Sequence, residues 1–568
     1  MDESKFKYLQ TLDYENIKFH VYDLLRSNSQ TKNDLARVVG ISALAAMMKE
    51  QGDIELAMGH IEENVDDETT VGFLRKIKEQ FHEQITEIEN IFDYKHLLAA
   101  ALFIEDRFTD VSTPEGIARL AISLLELNER DVVLDLGSGH GSFLTQAAYT
   151  SGTQKLYGVE INTESVIITN IRRLLCGLPI TVIQGNILSQ DFTHLSANKV
   201  FSNYPLGMRL SKLQQYIDKN AALKKVFAKA KRTVSADMVF NVAAYFNTKQ
   251  PGKTVVLMTN AGTWNKPDEF LRRKLVEKGI VEGVILLPER LLSATNISLV
   301  MMVLGQSNQT VKMVDASEIF TAERRQNKLR AKDVEQIIEA YHNGTNINKR
   351  VALSAIKQQE YILNPLRHVD IDIGIKNGIE LGEICLSINR GASTYSEELD
   401  ALVSTKETKY RYLMLQNIQD GIIEQDLPYL NKIDDKYKKY CIGDKNLIVS
   451  RFAPFKIATA HLKKDELILA SGNYYFIQLD EAKVNPIFVE VFLKSEPGIA
   501  QLNRFAKGST TSSINISDLK RIIIPVLPRQ QQDEIAKEYE NLKEELLLLE
   551  QQIDIIRDKR AKVLEGVI

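Results

Sequence analysis

The chain has 568 residues, of which 44% are hydrophobic and 26% are charged, and its formal net charge is −4 at pH 7. This length predicts several domains, and the slightly negative charge means that any nucleic-acid binding must depend on local basic patches. The three cysteines form no CxxC pair, which argues against disulfides and a cysteine-ligated zinc, and we predict no metal site.

The amino-terminal part of the chain shows a helical pattern. Residues 1–107 contain few glycines and apolar residues at helical spacing, which predicts an N-terminal helical domain. The first residues, MDESKFKYLQ, lack the apolar core of a signal peptide, and no apolar run approaches the length of a membrane span. We therefore expect a cytoplasmic protein that does not enter a membrane.

Strand-like and helix-like segments alternate from residue 108 to 345. Four apolar runs come first, VVLDL, LYGVE, VIQGN and VFSNYPLG, and each stops at polar or glycine residues. A helix-like segment, SADMVFNVAAYF, and three more strand-like runs follow, KTVVLMTN, VEGVILLP and ISLVMMVLG. This pattern predicts a doubly wound α/β sheet, which binds ligands at the carboxyl ends of its strands. Residues 346–378 are charged and mixed, and we interpret them as a linker.

The residues at these strand ends suit a nucleoside cofactor. The first strand runs into a glycine-rich turn that contains Asp135, Gly137, Gly139 and Gly141. Glycines bring backbone N–H groups close to a ligand at a helix N-terminus, and Ser142 argues against a dinucleotide fingerprint, which has glycine or alanine there. Glu160 suits the hydroxyls of a ribose, and Asn186 suits an adenine amine. The alternative, that each polar residue only caps its strand, is weaker for three strand ends in register.

These segments resemble a known family. STPEGIARLAISLL, DLGSGHGSFL, LYGVEINTESVIITNIRRLL and LRRKLVEKGIVEGVILLPERLLSATNISLVMMVL are similar to the methylation subunit of type I restriction–modification systems, over roughly residues 90–305. The resemblance implies a class I methyltransferase fold and an S-adenosylmethionine-dependent N6-adenine DNA methyltransferase. It implies that the cofactor is held by Asp135, Gly137, Gly139, Gly141, Glu160 and Asn186, with Thr113 and Pro114 at the amino-terminal cofactor motif. The family more often has aspartate in place of Asn186.

SNYPLG occupies the slot where amino methyltransferases carry Asn-Pro-Pro followed by an aromatic residue. The side chain of Asn203 and the carbonyl of Tyr204 would accept the two hydrogens of the target amine, and Pro205 would make the turn rigid. A base inside a duplex must be flipped out to reach this site. Tyr204 replaces a proline, and Leu206 replaces the aromatic that stacks on the flipped base, a contact worth about 1–3 kcal/mol. We expect Tyr204 or Phe201 to supply part of that stacking.

A basic patch follows SNYPLG, from Arg209 to Arg232. Its position beside the candidate site favours a surface that contacts phosphates, although a charge run in isolation is more often a solvated helix face. The candidate DNA contacts in this patch are Arg209, Lys224, Lys225 and Lys229.

Residues 379–530 change to short strand-like runs separated by turns. From about residue 381, SINRGAS, YLMLQNIQDGII, IGDKNLIVSRF and GSTTSSINISDLKRIIIPVLP resemble one half of a type I specificity subunit. The resemblance implies an α/β target recognition domain for double-stranded DNA, fused to the methyltransferase. Arg504, Lys507 and Arg521 are candidate phosphate contacts, which position a protein on DNA without reading its sequence.

Residues 531–568 predict one long coiled-coil helix. An apolar seam with 4-3 spacing runs through Ile535, Tyr539, Leu542, Leu546, Leu549, Ile553, Ile556, Val563 and Val567, and only Arg560 interrupts it. We expect two copies of the chain to pair through this helix as a homodimer. The alternative is that the helix folds back onto its own domains.

Two other functions compete with DNA methylation. A catalytically silent DNA-binding protein would explain Tyr204 and Leu206. A protein-glutamine methyltransferase uses a similar loop, but it has no need of a DNA recognition domain. Residues 1–107 contain no convincing nuclease constellation, so we expect DNA cleavage to require a separate restriction subunit.

Overall fold

The computed structural model describes residues 1–27, 35–105, 112–208, 213–228, 234–293, 297–324, 326–369, 375, 377–393, 402–419, 421–424, 426–506 and 512–561. They form two compact units, Met1–Ile371 and Asp372–Ile568, called here the first and second units. Within these ranges, no helix has both the length and the apolar character that crossing a membrane requires.

The first unit begins with a layer of helices. They are α1 (Glu3–Gln10), α2 (Glu15–Ser27), α3 (Leu35–Gln51), α4 (Ile54–Asn64), α5 (Glu68–Gln80), α6 (His82–Ile91) and α7 (Tyr94–Phe103). α3 lies at the centre of this layer, because every residue from Val38 to Met47 is buried and a helix that is apolar all round must be covered. Asp53, Asp67 and Asp93 cap the N-termini of α4, α5 and α7.

Alternating strands and helices follow. They are α8 (Glu115–Leu125), β1 (Val132–Leu136), α9 (Ser142–Ser151), β2 (Lys155–Glu160), α10 (Thr163–Cys176), β3 (Ile180–Gln184), β4 (Lys199–Ser202), α11 (Gln214–Ile217), α12 (Ala221–Phe227), α13 (Ala236–Phe246), β5 (Lys253–Thr259), α14 (Glu269–Glu277), β6 (Val281–Leu286), β7 (Leu299–Leu304), β8 (Thr310–Asp315), β9 (Thr321–Ala322), β10 (Asn327–Lys328), α15 (Ala331–Asn343), β11 (Asn348–Ala352) and α16 (Leu353–Gln358). Ile167, Ile168 and Ile171 of α10 share one hydrophobic core with α1–α7, so the helical layer packs directly on the sheet region.

The main sheet has the strand order β11-β8-β6-β7-β5-β4-β1-β2-β3. β1 to β5 pair in parallel, whereas β7 runs antiparallel between β5 and β6. In this register Asp135 lies opposite Gly158 and Phe201, and Glu160 lies opposite Gln184. The polar ends of β1 to β4 therefore meet at one edge, which confirms the predicted doubly wound sheet.

The interpretation of residues 346–378 as a linker is wrong for their first half. β11 pairs with β8 at the edge of the main sheet, with Val351 opposite Val311. Ile356 of α16 and Leu363 after it are fully buried in the core of the first unit. These apolar side chains lie among charged residues in the sequence. The mixed composition therefore did not indicate that they are buried.

The second unit consists of short strands and helices. They are β12 (Gly378–Glu380), β13 (Cys385–Arg390), β14 (Val403–Ser404), β15 (Tyr410–Leu413), β16 (Ile418–Gln419), β17 (Ile422–Ile423), β18 (Tyr429–Leu430), α17 (Asp435–Lys438), β19 (Leu447–Ser450), β20 (Ile457–Thr459), β21 (Leu467–Ala470), β22 (Tyr474–Leu479), α18 (Pro486–Lys494), α19 (Glu496–Phe505), α20 (Ile516–Leu519), β23 (Ile523–Pro525) and α21 (Arg529–Ala561). Two four-stranded sheets are present, β13-β22-β19-β20 and β14-β18-β15-β21.

The first turns of the long helix α21 pack against the rest of the second unit, and its later turns do so much less. Gln532 and Ala536 are buried, Ile535 packs on the core around β22 and α18, and the hydroxyl of Tyr539 donates to Glu490 Oε1 at 2.9 Å. Beyond this point most of the apolar residues are exposed, although Leu547 is half-buried. The alternative prediction, in which the helix folds back onto its own domains, thus agrees with the structure only for the first turns of α21.

Candidate active site

One cavity of about 660 Å³ opens at the carboxyl ends of β1 to β4. Its wall contains eight of the residues that the sequence singled out, namely Gly137, Gly139, Glu160, Asn186, Asn203, Tyr204, Pro205 and Leu206. The lining also includes apolar side chains that the sequence did not indicate, among them Met208, Leu213 and Tyr216. The cavity therefore combines a polar strand-end edge with an apolar wall.

The glycine-rich turn and Glu160 are joined by hydrogen bonds. The backbone N–H of Gly139 donates to Glu160 Oε2 at 2.9 Å, and those of Ile161 and Asn162 donate to Oε1 at 2.8 Å. Gly141 has φ +75°, and a Cβ there would lie 2.6 Å from Thr169 Cγ2, so this position requires glycine. The carboxylate of Glu160 is consequently held in one place at the cavity wall.

Asp135 lies beneath the turn rather than in the cavity wall. Its carboxylate is fully buried, and its Oδ1 has no hydrogen-bond partner among the described residues. Burial raises the pKa of Asp135 well above its ordinary value, and the nearby charge of Glu160 raises it further. A buried carboxylate without a partner is costly, so this position points to a cationic or hydrogen-donating ligand.

The side chain of Asn186 caps the turn after β3. Its Oδ1 accepts the backbone N–H of Leu188 at 2.9 Å, and its backbone N–H donates to Gln190 Oε1 at 2.7 Å. Both the capping role and a cavity-facing role thus apply to this residue. One lone pair of Oδ1 and the amide hydrogens of Nδ2 have no partner within the described ranges, so an amide face remains for a ligand.

Asn203 lies directly after β4 and contacts the start of α8. Its Nδ2 donates to Thr113 Oγ1 at 3.1 Å. Thr113 and Pro114 line a neighbouring cavity of about 830 Å³, together with His140 and Glu105. Asn203 lines the first cavity and Thr113 lines the second, so the hydrogen bond between them lies where the two cavities adjoin. It also places the amino-terminal motif beside the SNYPLG loop.

The two aromatic rings expected to stack on a target base are both buried. Phe201 packs in parallel on Phe143, with ring centroids 4.3 Å apart, inside the sheet core. Tyr204 is only 2% exposed, and its ring stacks on Phe240 with centroids 4.6 Å apart. The expectation that they replace the missing aromatic at Leu206 is therefore wrong. Tyr216 is the half-buried aromatic side chain of the described cavity wall.

A partly buried ion cluster, which lines the neighbouring cavity, contacts the glycine-rich turn through His140. His140 Nδ1 lies 2.6 Å from Glu105 Oε2, and Arg172 donates to Glu105 Oε1 at 2.6 Å. Burial raises the pKa of Glu105, but Arg172 and His140 outweigh this effect and hold it at about 2. Sequence patterns did not indicate Glu105 or Arg172, because their partners are distant along the chain.

The candidate DNA contacts fall in different environments. Lys224 and Lys225 are exposed on α12, opposite the buried Leu223 and Phe227. Arg504 is partly buried, and the guanidinium of Arg521 lies over the ring of Phe505 at 5.4 Å. Arg209, Lys229 and Lys507 lie outside the described residues.

The second unit also carries a basic surface that the sequence did not single out. Lys409, Lys436 and Lys439 lie over the rings of Tyr410, Tyr437 and Tyr440, at 5.5, 4.6 and 5.0 Å. The three tyrosines pack on the same small core around Leu430 and Leu469. We call these three pairs the lysine–tyrosine surface.

Comparison with known proteins agrees with this geometry. Residues 104–373 match the family described as N-6 DNA Methylase, and residues 376–556 match the Type I restriction modification DNA specificity domain. The sheet order and the strand-end site define a class I S-adenosylmethionine-dependent methyltransferase fold. More particularly, the chain joins a region that matches the N-6 DNA Methylase family to a region that matches the Type I restriction modification DNA specificity domain.

The curated relatives include methylase subunits of type I systems. The MjaVII type I methylase subunit of Methanocaldococcus jannaschii is 22% identical over 63% of this chain and 66% of its own length. The MpnII type I methylase subunit of Mycoplasma pneumoniae is 25% identical over 46% of this chain and 52% of its own length. The chain thus spans less than two thirds of the length of these relatives.

Two solved structures share the fold. The methyltransferase subunit of a type I system from Streptococcus thermophilus covers 63% of this chain and 99% of its own, with a TM-score of 0.50 and 17% identity. The type IIG restriction endonuclease BpuSI covers 91% of this chain and 74% of its own, with a TM-score of 0.51 and 12% identity. At such identities these likenesses establish the fold alone.

Proposed function

We propose that the protein transfers a methyl group from S-adenosylmethionine to N6 of adenine in double-stranded DNA. The observation that carries this proposal is the single cavity in which Asn203 and the Tyr204 backbone lie at the end of β4, beside Glu160 and Asn186 at the ends of β2 and β3. The two matched families supply a methylase and a DNA specificity domain in one chain.

The residues of the site fit S-adenosylmethionine. Glu160 presents a fixed carboxylate for ribose hydroxyls, and the free amide face of Asn186 suits the edge of an adenine. The unpartnered carboxylate of Asp135 lies below a turn of glycines, where it favours a ligand that carries positive charge. We expect binding in the micromolar range, which calorimetry measures.

The chemistry expected of Asn203 follows from the nature of the target. The lone pair of an adenine amine is delocalised into the ring, so the amine is a poor nucleophile. Asn203 Oδ1 and the carbonyl of Tyr204 would accept its two hydrogens, which localises the lone pair on nitrogen. The cofactor, when bound, supplies an electrophilic methyl group on a positively charged sulfur. The nitrogen then releases one proton to solvent.

Methyl transfer from labelled cofactor to duplex DNA tests this proposal. We expect Asn203→Ala to reduce incorporation at least 100-fold while it leaves cofactor binding within threefold. Asn90→Ala, a change at an exposed helical asparagine whose amide contacts only the backbone of Thr86, is the matched control and should be fully active. Absence of label in the wild type, or label that persists without Asn203, contradicts the proposed function.

We also propose that two copies pair through α21. The seam residues Leu542, Leu546, Leu549, Ile553 and Ile556 are 40–64% exposed. Burying one Leu or Ile side chain is worth roughly 1.5–3 kcal/mol, so a second copy across a two-fold axis would stabilise this stripe strongly. Two identical recognition domains would then read inverted half-sites of a split, palindromic target. In that arrangement DNA cleavage belongs to a separate restriction subunit.

Light scattering with two matched double variants tests the pairing. Leu549→Gln/Ile556→Gln changes the seam, whereas Leu548→Gln/Ile555→Gln changes equally exposed residues one position away from it. We expect the first pair to produce monomers and the second to remain dimeric. A shortened chain should end after Lys543, because Tyr539 and Lys543 contact Glu490. A wild type that is monomeric at micromolar concentration with and without DNA contradicts the pairing.

A further inference from the structure

The side chain of Tyr204 makes one specific polar contact. Its hydroxyl lies 2.9 Å from Oδ1 of Asn241 on α13. Both residues are buried, with exposed fractions of 2% and 0%. The Tyr204 ring is nearly parallel to that of Phe240, at an interplanar angle of 14°. The residue next to Asn203 is therefore fixed by its side chain to the helix behind the loop.

The surroundings of Asn241 determine which atom donates in this contact. Asn241 Nδ2 lies 3.0 Å from Met258 Sδ and 3.8 Å from Met238 Sδ. A thioether sulfur accepts hydrogen bonds and never donates them, so the amide nitrogen must face the two sulfurs. The amide oxygen then faces Tyr204, and the tyrosine hydroxyl is the donor.

A second contact holds the other end of the same loop to the same helix. Asp237 lies one turn before Asn241 on α13 and accepts a hydrogen bond from the backbone N–H of Gly207. Asp237 Oδ2 also accepts the backbone N–H of Thr259, at 3.0 Å, at the end of β5. Residues four apart share one face of a helix, so α13 holds the loop at both of its ends.

We propose that Tyr204 is a positioning residue for methyl transfer. A proline at this position would restrain the backbone through its ring, and tyrosine has no such restraint. The bond to Asn241 restrains the loop instead, and it keeps the Tyr204 carbonyl and the Asn203 side chain in place for the target amine. This inference rests on the proposed function.

The test removes the hydroxyl and nothing else. We expect Tyr204→Phe to lower kcat for methylation of duplex DNA about tenfold, with the dissociation constant for S-adenosylmethionine unchanged within twofold. The matched control is Tyr341→Phe, because Tyr341 is 0% exposed and its hydroxyl donates to Glu282 Oε1 at 2.9 Å, away from the loop. The control should lower Tm comparably and leave kcat unchanged.

A double variant separates positioning from stability. Tyr204→Phe/Asn241→Leu removes both partners, so no buried acceptor is left unpaired and Tm should recover relative to Tyr204→Phe. We expect kcat to stay at the value of the single variant. A Tyr204→Phe enzyme with wild-type kcat, or a kcat that recovers together with Tm, overturns the proposal. A wild type that transfers no methyl group contradicts the proposed function itself, and this inference with it.

Discussion

Asn203 and Thr113 are 90 residues apart in the chain, yet Asn203 Nδ2 donates a hydrogen bond to Thr113 Oγ1 at 3.1 Å. With its nitrogen engaged in this way, the amide presents Oδ1 as the free acceptor. A threonine hydroxyl can both donate and accept, so this contact fixes where the Asn203 amide lies rather than which of its atoms faces the target. Thr113, which the sequence suggested only as a cofactor residue, therefore also positions Asn203.

Removing the Thr113 hydroxyl should lower kcat for methyl transfer more than it weakens S-adenosylmethionine binding. Valine has the shape of threonine without its hydroxyl, so we expect Thr113→Val to lower kcat about tenfold, the equivalent of roughly 1.4 kcal/mol. Thr113→Ser keeps the hydroxyl and should retain most of the rate. Calorimetric titration with S-adenosylmethionine measures cofactor affinity beside the rate assay. If Thr113→Val changes only cofactor affinity and leaves kcat unchanged, Thr113 binds the cofactor and does not position Asn203.

Leu206 offers a test by gain of function. The aromatic rings of Phe201 and Tyr204 are buried, so neither replaces the missing aromatic. Stacking of a base on an aromatic ring is worth about 1–3 kcal/mol. We expect Leu206→Phe to lower KM for DNA by at least about fivefold, the equivalent of about 1 kcal/mol, and Leu206→Ala to raise it. A phenylalanine variant that behaves like the wild type would show that leucine already provides the full contact.

The raised pKa of Asp135 predicts a conflict between stability and binding. Its pKa is about 3.9 in an unfolded chain and higher in the folded protein. The folded chain holds this proton more tightly, so the contribution of Asp135 to stability falls as pH rises from about 4 through the folded pKa. Asp135→Asn should therefore raise Tm of the ligand-free protein at pH 7, on the order of 1–3 °C.

The gain in Tm for Asp135→Asn should shrink toward pH 4, where both side chains are neutral. The same variant should weaken S-adenosylmethionine binding at least tenfold, because it removes the acidic group beneath the glycine-rich turn, whose ionised form a positively charged ligand would favour. Thermal unfolding across pH 4–8 together with calorimetry measures both effects. A variant that is less stable than the wild type at pH 7 would show that Asp135 is not the isolated buried charge described here.

The sequence predicted the sheet and its strand ends because both depend on local patterns. An apolar run that ends in a polar residue, as LYGVE does at Glu160, needs no distant partner to be recognised. The same holds for the glycine-rich turn, where the positive φ of Gly141 is a local backbone conformation that favours glycine. The eight residues of the cavity wall followed from these patterns together with family resemblance.

What the sequence could not predict depends on contacts between distant residues. In the sequence, Tyr204 is only a departure from the Asn-Pro-Pro motif, because its hydrogen-bond partner, Asn241, is 37 residues away. Glu105 became significant only through Arg172, 67 residues further along the chain. The apolar residues around β11 were masked by charged neighbours, so a strand of the main sheet resembled a linker.

The lysine–tyrosine surface should contribute to DNA binding through phosphates. Each tyrosine restrains the lysine above it, so the three ammonium groups lose little freedom on binding. Neutralising one phosphate changes the slope of log K against log salt by about 0.9. If all three lysines contact phosphates, Lys409→Gln/Lys436→Gln/Lys439→Gln should reduce the slope by about 2.7 and weaken binding at low salt.

Two lysines of the second unit that lie beside identified carboxylates provide the control for this triple variant. Lys445 lies 2.8 Å from Glu481, and Lys483 lies 3.6 Å from Asp480. Lys445→Gln/Lys483→Gln removes positive charge whose field is already compensated, so its slope should match the wild type. Fluorescence anisotropy with duplex DNA over a range of salt concentrations measures both variants. Equal slopes for the triple variant and the wild type would place the phosphate contacts elsewhere, with Lys224 and Lys225 on α12 as the next candidates.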